Sequence, residues 1–189
     1  MPHPSRMAPA ETAVLVVDVQ EKLMVKIPGA AELTRNIAFT LDAAKLLGVE
    51  VLGTEQYAKG LGPTVPQLAQ RLPPRPDKLS FSCCGVPDLT ENLRRKGRTR
   101  VLLVGIETHV CVLNTALDLL AESFWVYVAV DAVASRYAID HETALRRMEG
   151  LGVIPTTVET AAFEWTGGAQ HPQFKAISAL VIGRGNSNK

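Results

Sequence analysis

The chain has 189 residues, of which 47% are hydrophobic and 21% are charged, and its formal net charge is +1. This composition predicts one folded domain over residues 1–189 with a sizeable core. A net charge near zero argues against nucleic acid or a membrane surface as a partner. Three cysteines, two of them adjacent, make a poor disulfide framework, and the first residues lack the apolar run of a secretory signal. We therefore expect a cytoplasmic protein whose residues 1–11 form a flexible N-terminus.

The first half of the chain alternates apolar runs with segments of helical spacing. "TAVLVVDVQ" predicts a buried strand that ends at Asp18, and "AAELTRNIAFTLDAAKLLG" predicts a helix that ends at Gly48. "VEVLGTE" predicts a second strand. The Pro- and Gly-rich segment "GLGPTVPQLAQRLPPRPD" predicts a long loop around one short helical turn, and "KLSFSC" predicts a third strand that begins at Lys78.

The second half repeats this alternation. "VPDLTENLRRKG", "VCVLNTALDLLAE", "AIDHETALRRMEGLG" and the tail "HPQFKAISALVIG" predict helices, the third of them capped by Asp140. "RVLLVG", "FWVYVAVD" and "VIPTTVE" predict the strands between them. Apolar strands that alternate with helices indicate an α/β fold, a three-layer αβα sandwich around a doubly wound, mostly parallel sheet of about six strands.

Three polar or reactive side chains lie at the ends of predicted strands, where such sheets bind ligands. Asp18 closes the first strand, Lys78 opens the third beside the Pro-rich loop, and Cys111 follows the fourth near the start of a helix. If the first and fourth strands are adjacent at the centre, Asp18 and Cys111 face each other. Each residue also has a plainer interpretation: Cys111 fills core space, Asp18 caps or pairs at a strand end, and Lys78 is a surface lysine.

Taken together, the three groups fit nucleophilic catalysis. A helix N-terminus and the Lys78 ammonium would lower the pKa of the Cys111 thiol from its usual ~8.5. Asp18 could take the thiol proton and pass it to a leaving amine, and backbone N–H groups before Cys111 could bind the developing oxyanion. These parts would transfer an acyl group from a carboxamide through a thioester.

Several stretches of the chain carry a family resemblance. "VLVVDVQ" at the first strand, "KLSFS" from Lys78 and "GIETHVCVLNT" around Cys111 resemble the motifs of the isochorismatase-like hydrolases, also called cysteine hydrolases, over about residues 12–165. "TEQYAKGLGPTVPQL" and "HPQFKAI" resemble the subgroup of isochorismatase domain-containing proteins. The resemblance implies the sandwich already predicted and a homo-oligomer, either a dimer or a larger assembly.

The resemblance also implies roles for individual residues. Asp18, Lys78 and Cys111 would be the catalytic triad of the family. The backbone N–H groups of Glu107 and Cys111 would form the oxyanion hole, with a cis peptide bond preceding Glu107. Gln20, two residues after Asp18, would lie in the substrate pocket.

Departures from the family narrow the prediction. Nicotinamidases in this family bind a metal through Asp and His residues near the second strand, whereas "GTEQYAKG" contains no histidine. We therefore expect no metal and no cofactor. Glu55, Gln56 and Tyr57 follow the second strand and could line the pocket in place of the metal ligands, and we assign Glu55 and Tyr57 to the substrate pocket. A plain turn with a partly buried tyrosine fits nearly as well. For His109 we favour a role as a turn or core residue over a role as a catalytic base.

These observations lead to one predicted function and one alternative. True isochorismatases cleave a vinyl ether without the cysteine, so the presence of Cys111 favours an amidase-like reaction. We predict a metal-independent cysteine hydrolase that acts on a small carboxamide or a related C–N bond. The alternative is a catalytically weak interaction protein or redox-sensing protein on the same scaffold.

Overall fold

Branched apolar residues form the centre of a six-stranded parallel sheet in the computed structural model, which describes residues 3–186. Every residue of the first strand is buried, as its apolar sequence predicts. The fold class predicted from the sequence is confirmed. The strands are β1 (Thr12–Val17), β2 (Glu50–Gln56), β3 (Asp77–Lys78), β4 (Arg100–Ile106), β5 (Trp125–Ala134) and β6 (Ile154–Thr156).

The sheet is wound in two directions from its centre. Its strand order is β3-β2-β1-β4-β5-β6, and β1 pairs with β2 on one side and with β4 on the other. The chain moves outward from β1 to β3, returns to β4, and then moves outward to β6. The carboxyl ends of β1 and β4 therefore flank the crevice where sheets of this kind bind ligands.

Helices cover both faces of the sheet. They are α1 (Glu21–Met24), α2 (Ala30–Leu47), α3 (Ala58–Leu61), α4 (Pro66–Ala69), α5 (Leu89–Arg95), α6 (Leu113–Ala121), α7 (Ala138–Gly150), α8 (Val158–Thr166) and α9 (Phe174–Asn186). Short 3-10 turns lie at Pro9–Glu11 and Cys83–Gly85, and a π-helical turn lies at Thr108–Val112. Within the described residues, no helix has the length and apolar character that crossing a membrane requires.

Alternate residues of β1 belong to two separate core layers. Val14 and Val16 pack in one layer with α2, α8 and α9. Leu15 and Val17 pack in the other layer with α5, α6 and α7. Since successive side chains of a strand point to opposite faces, this division places one helical layer on each side of the sheet. The three-layer arrangement follows from it.

Gly105 allows the two central strands to approach closely near the crevice. It pairs with Val17 across the β1–β4 boundary and has a φ of +118°. A Cβ atom at this position would lie 2.2 Å from the backbone oxygen of Val17. Only glycine fits such a site, because it lacks a Cβ and adopts positive φ without strain. This contact fixes where β1 and β4 end, and thereby where Asp18 and the residues after Ile106 begin.

Three local predictions differ from the structure. Helix α8 was not predicted, although Thr157 caps it by accepting the Thr160 N–H and Gly167 follows its end. The third strand is only two residues long, because the chain turns back after Lys78. Asp140 lies in the first turn of α7 and does not cap it; Tyr137 is the N-cap residue and makes no side-chain capping bond.

The N-terminal segment predicted to be flexible makes defined contacts in residues 3–11; the first two residues of that stretch lie outside the described residues. The Met7 side chain is buried, and its N–H donates to the Glu164 carboxylate at 2.8 Å. The Tyr127 hydroxyl donates to the backbone oxygen of Ser5 at 2.6 Å. The segment therefore packs against the domain at the starts of the central strands.

Candidate active site

Asp18 and Lys78 form a fully buried ion pair at the carboxyl edge of the sheet. Asp18 directly follows β1 with a φ of +51°, and Lys78 is the last residue of β3. The Lys78 Nζ donates to Asp18 Oδ2 at 2.7 Å, and the two side chains are 2% and 0% exposed. The Thr54 hydroxyl donates to the other carboxylate oxygen at 2.8 Å. Both oxygens of Asp18 are thus held by donors, which fixes the orientation of the carboxylate.

The Lys78 ammonium has further acceptors that explain the shortness of β3. Its Nζ donates to Gln56 Oε1 at 2.7 Å and to the backbone oxygens of Ser80 and Phe81 at 3.1 and 3.0 Å. A chain continuing as a strand would carry those two carbonyl groups away from Nζ. The segment after Lys78 curves back instead, and its carbonyl groups replace the water that a buried ammonium has lost.

Cys111 lies on the π-helical turn between β4 and α6, in contact with the acidic member of the pair. Its side chain is buried, and the Asp18 carboxylate lies close enough to raise the pKa of the thiol through its charge and through hydrogen bonding. Cys111 Sγ also lies 4.0 Å from Gln56 Oε1. The peptide bond between Ile106 and Glu107, just before the turn, is cis. The structure therefore brings together Asp18, Lys78 and Cys111, which lie far apart in sequence.

The electrostatic environment of the thiol differs from the sequence prediction. Burial is the main cause that raises the pKa of Cys111 above its ordinary value, and the negative charge of Asp18 adds to it. Lys78 acts in the opposite direction but does not prevail, because its charge is paired with Asp18. The predicted lowering of this pKa is therefore wrong. Burial and the neighbouring carboxylate thus both favour the neutral form of the thiol.

Gln20 and Glu55, assigned to the substrate pocket, both make supporting contacts. The Gln20 amide brackets the backbone of Gln56: its Oε1 accepts the Gln56 N–H at 2.7 Å, and its Nε2 donates to the Gln56 oxygen at 3.0 Å. Glu55 Oε1 accepts from the backbone and hydroxyl of Thr64 and from Arg75. Although burial opposes it, these bonds lower the pKa of Glu55. Both side chains order the loop after β2.

Tyr57 has a different environment from the other two assigned pocket residues. It has a φ of +41° and is 49% exposed. Its N–H donates to the backbone oxygen of Lys78 at 2.9 Å, and its ring lies against Gly60. The tyrosine therefore stands at the outer edge of the crevice, with its ring reachable from solvent.

Glu107 connects the π-helical turn to a cavity at the same edge. Its Oε2 accepts from the backbone N–H and the Nε of Arg136, at 3.0 and 3.1 Å. The cavity measures about 630 Å³ and is lined by residues that follow β1, β2, β4 and β5. They are Glu21, Lys22, Leu23, Val25, Lys26, Leu61, Glu107 and Arg136. The cavity thus adjoins Glu107, the residue that precedes the turn carrying Cys111.

The histidines lie apart from the Asp18–Lys78 pair. His109 Nδ1 contacts the Ser135 hydroxyl at 3.0 Å, and His141 Nδ1 contacts the Thr108 hydroxyl at 2.9 Å. Among residues 3–186, no group of three or more His, Cys, Asp or Glu side chains is placed to hold a metal ion. The side chains that meet beside β1 and β3 supply a carboxylate, an ammonium, an amide and a thiol.

Sequence reasoning gave no role to Thr54 or Thr115 and did not find the contacts of Gln56 and Cys83 at this site. Thr54 touches Cys83 as well as Asp18, since its hydroxyl lies 3.3 Å from the Cys83 sulfur. Thr115 Oγ1 accepts the Cys83 N–H at 2.9 Å and donates to the Cys111 oxygen at 2.7 Å. Burial raises the pKa of Cys83 to about 11. These residues tie the loop after β3 to the turn that carries Cys111.

The fold and these contacts define a class of protein. Its members are parallel α/β sandwiches in which a cysteine lies beside a buried Asp–Lys pair, at the carboxyl ends of the central strands where the strand order reverses. The chain belongs to the isochorismatase family, whose Isochorismatase domain model matches residues 12–160. It is 41% identical over 177 residues to isochorismatase domain-containing protein 2 of Rattus norvegicus, covering 93% of this chain and 83% of that protein. The resemblance stated from the motifs is confirmed.

Solved structures are similar over nearly the whole chain. The MAR1 ribonuclease of Caenorhabditis elegans is 41% identical, with a TM-score of 0.88 and coverage of 94% of this chain and 92% of that one. YcaC of Escherichia coli, described as an octameric hydrolase of unknown specificity, is 25% identical, with a TM-score of 0.87 and coverage of 97% and 92%. These likenesses place the chain in the isochorismatase-like hydrolase superfamily.

Proposed function

We propose that this protein is a metal-independent cysteine hydrolase that cleaves a small carboxamide or a related C–N bond through a thioester on Cys111. One observation carries the proposal: the buried Asp18 carboxylate accepts a hydrogen bond from the Lys78 ammonium and lies close enough to the Cys111 thiol for its charge to raise the pKa of that thiol. A thiol, a base in contact with it and a fixed cation are the parts that covalent acyl transfer requires.

The first half of the reaction forms the thioester. Asp18 accepts the thiol proton as Cys111 Sγ bonds to the substrate carbonyl carbon, so the thiolate exists only when a substrate is present to receive it. The N–H groups of Glu107 and Cys111 hold the oxygen that becomes negative. Asp18 then gives its proton to the nitrogen, the C–N bond breaks and the amine leaves. Lys78 keeps the carboxylate oriented throughout.

The second half releases the acid. Asp18 takes a proton from a water molecule while the water oxygen attacks the thioester carbon. The C–S bond then breaks, and Asp18 returns the proton to the Cys111 sulfur. The same two N–H groups stabilise the second tetrahedral intermediate. The raised pKa of Cys111 fits this cycle, because a thiol that is neutral at rest needs its base in contact, and Asp18 provides it.

The test is acylation of Cys111 followed by peptide mass spectrometry. The wild-type protein is incubated with a panel of small primary carboxamides and quenched in acid, and the peptide carrying Cys111 is examined for the mass of the acyl group. We expect acylation and acid release in the wild type and neither in Cys111→Ala. Cys84→Ala, which removes a thiol outside the contact network, serves as the matched control and should keep both.

An RNA oligonucleotide belongs in the same experiment, because the C. elegans relative is described as a ribonuclease. Cleavage of RNA by the wild type that Cys111→Ala loses, without acylation by any amide, would overturn the proposal in favour of that activity. A panel that leaves Cys111 unmodified in every case, with no RNA cleavage, would instead favour the interaction or redox-sensing alternative.

We further propose that the protein is a cytoplasmic homo-oligomer with a small-molecule substrate and without nucleic acid or membrane partners. The octameric state described for YcaC supports the assembly. Light scattering during size-exclusion chromatography tests it, and a monomer mass at micromolar concentration would contradict it.

A further inference from the structure

Gln56 presents a fixed hydrogen-bond acceptor beside the candidate nucleophile. Its Oε1 lies 2.7 Å from Lys78 Nζ and 4.0 Å from Cys111 Sγ. The side chain is only partly buried, so a molecule that reaches the thiol can also reach this oxygen. The mechanism above leaves it without a role.

The orientation of the Gln56 amide follows from its neighbours. Lys78 Nζ is only a donor, so the atom facing it must be the carbonyl oxygen. Gln56 Nε2 donates to the Leu79 backbone oxygen at 2.9 Å, which is only an acceptor. Gln20 holds the Gln56 backbone from both sides. If the amide were flipped, its NH2 group would face the Lys78 ammonium and its oxygen would face the Leu79 carbonyl, and neither pair can form a hydrogen bond. Oε1 is therefore the atom presented to the crevice.

We infer that Gln56 Oε1 binds the scissile nitrogen of the substrate, and that the enzyme therefore selects carboxamides with at least one hydrogen on that nitrogen, primary carboxamides above all. This inference rests on the proposed function. The geometry permits it: with the attacked carbon ~3–3.5 Å from Sγ, a nitrogen on that carbon can lie ~2.9 Å from an oxygen that is itself 4.0 Å from Sγ. A carbonyl oxygen has two lone pairs, and Lys78 occupies one of them.

The contact would do more than bind. An N–H directed at Gln56 turns the nitrogen lone pair away from that oxygen and toward Asp18, which holds the proton needed to break the C–N bond. An ester has no hydrogen on its leaving oxygen and would place a lone pair against Oε1. A tertiary amide would place an alkyl group there. Selection thus combines an attraction for N–H with a repulsion of its analogues.

The experiment compares three substrates that leave the same acyl group: propionamide, N,N-dimethylpropionamide and methyl propionate. Each would form the same propionyl thioester on Cys111, so the rate of appearance of one modified peptide measures all three. The variants are Gln56→Met, which removes the acceptor at similar length, and Gln56→Glu, which retains acceptor oxygens. Gln70→Met, at the exposed C-cap position of α4, is the matched control.

We expect Gln56→Met to lower the propionamide rate about tenfold or more relative to the methyl propionate rate, as the loss of one transition-state hydrogen bond would. Gln56→Glu keeps the wild-type preference whatever it does to the overall rate, and Gln70→Met changes neither. If the ratio of the two rates in Gln56→Met stays within about twofold of the wild type, Gln56 acts only through Lys78 and the inference fails. If no substrate acylates the wild type, the proposed function fails as well.

Discussion

Removal of the Lys78 ammonium would leave the Asp18 carboxylate as an unpaired charge in a side chain that is 0% exposed. Three other acceptors, on Gln56, Ser80 and Phe81, would lose their donor at the same time. Breaking a buried pair in this way costs about 3–5 kcal/mol. At ~2–4 °C for each kcal/mol in a domain of this size, Lys78→Met should lower Tm by roughly 6–20 °C.

Urea unfolding followed by circular dichroism measures this cost, with an exposed ion pair as the control. Arg71 and Asp42 form a bidentate pair whose side chains are 33% and 37% exposed. Arg71→Met should therefore cost less than ~1 kcal/mol. The double variant Asp18→Asn/Lys78→Met removes both buried charges and should recover at least ~2 kcal/mol relative to the sum of the single variants.

Two outcomes would refute the electrostatic reasoning. One is a cost for Lys78→Met no larger than that for Arg71→Met. The other is strict additivity in the double variant, because two groups that do not interact have no coupling energy to recover. In either case Lys78 would be held by its backbone position rather than by the carboxylate.

Three further predictions concern the thiol, the strand contact and a histidine. Burial and the Asp18 charge raise the pKa of Cys111. Asp18→Asn should therefore speed the alkylation of Cys111 by iodoacetamide at pH 8, measured by peptide mass spectrometry, and should abolish amide turnover. Slower alkylation would contradict this. Gly105→Ala should destabilise the fold by at least ~3 kcal/mol in urea, whereas Gly150→Ala, with open space around it, should be neutral or gain up to ~1 kcal/mol. Burial lowers the pKa of His141 from 6.5, so near and below that pH the unfolded chain binds more protons than the folded chain. The free energy of unfolding should therefore decrease between pH 7.5 and pH 5.5, and it should decrease less in His141→Gln.

Much of the fold could be predicted because its signals are local. The segments that form β1 and β4 contain more consecutive apolar residues than a surface segment would carry. Because such strands alternate with helices along the chain, few topologies are possible. Asp18 and Cys111 could be paired in advance, since the ends of two central strands must meet at one edge. Local sequence patterns gave a wrong prediction where the residues of a strand end and of a helix cap overlapped. The threonines before α8 read as the end of a strand, although Thr157 is the cap of a helix.

The parts of the site that could not be predicted depend on distant contacts. Gln56 meets Lys78 from 22 residues away and Cys111 from 55 residues away, so its place after the second strand indicates a pocket residue but not these two partners. The pKa of Cys111 was predicted in the wrong direction for a related reason. The sequence suggested a nearby cation but could not show that this cation is neutralised by Asp18, or that the thiol is buried.

The packed N-terminal segment has a practical consequence for single-molecule and surface-based work. Its contacts with Arg100, the first residue of β4, and with Tyr127 near the start of β5 hold it at the amino edge of the sheet. The candidate active site lies at the opposite edge. A fluorophore, affinity handle or immobilisation linker joined ahead of residue 3 would therefore leave the molecule from its rear, with the crevice facing the solution and open to substrate.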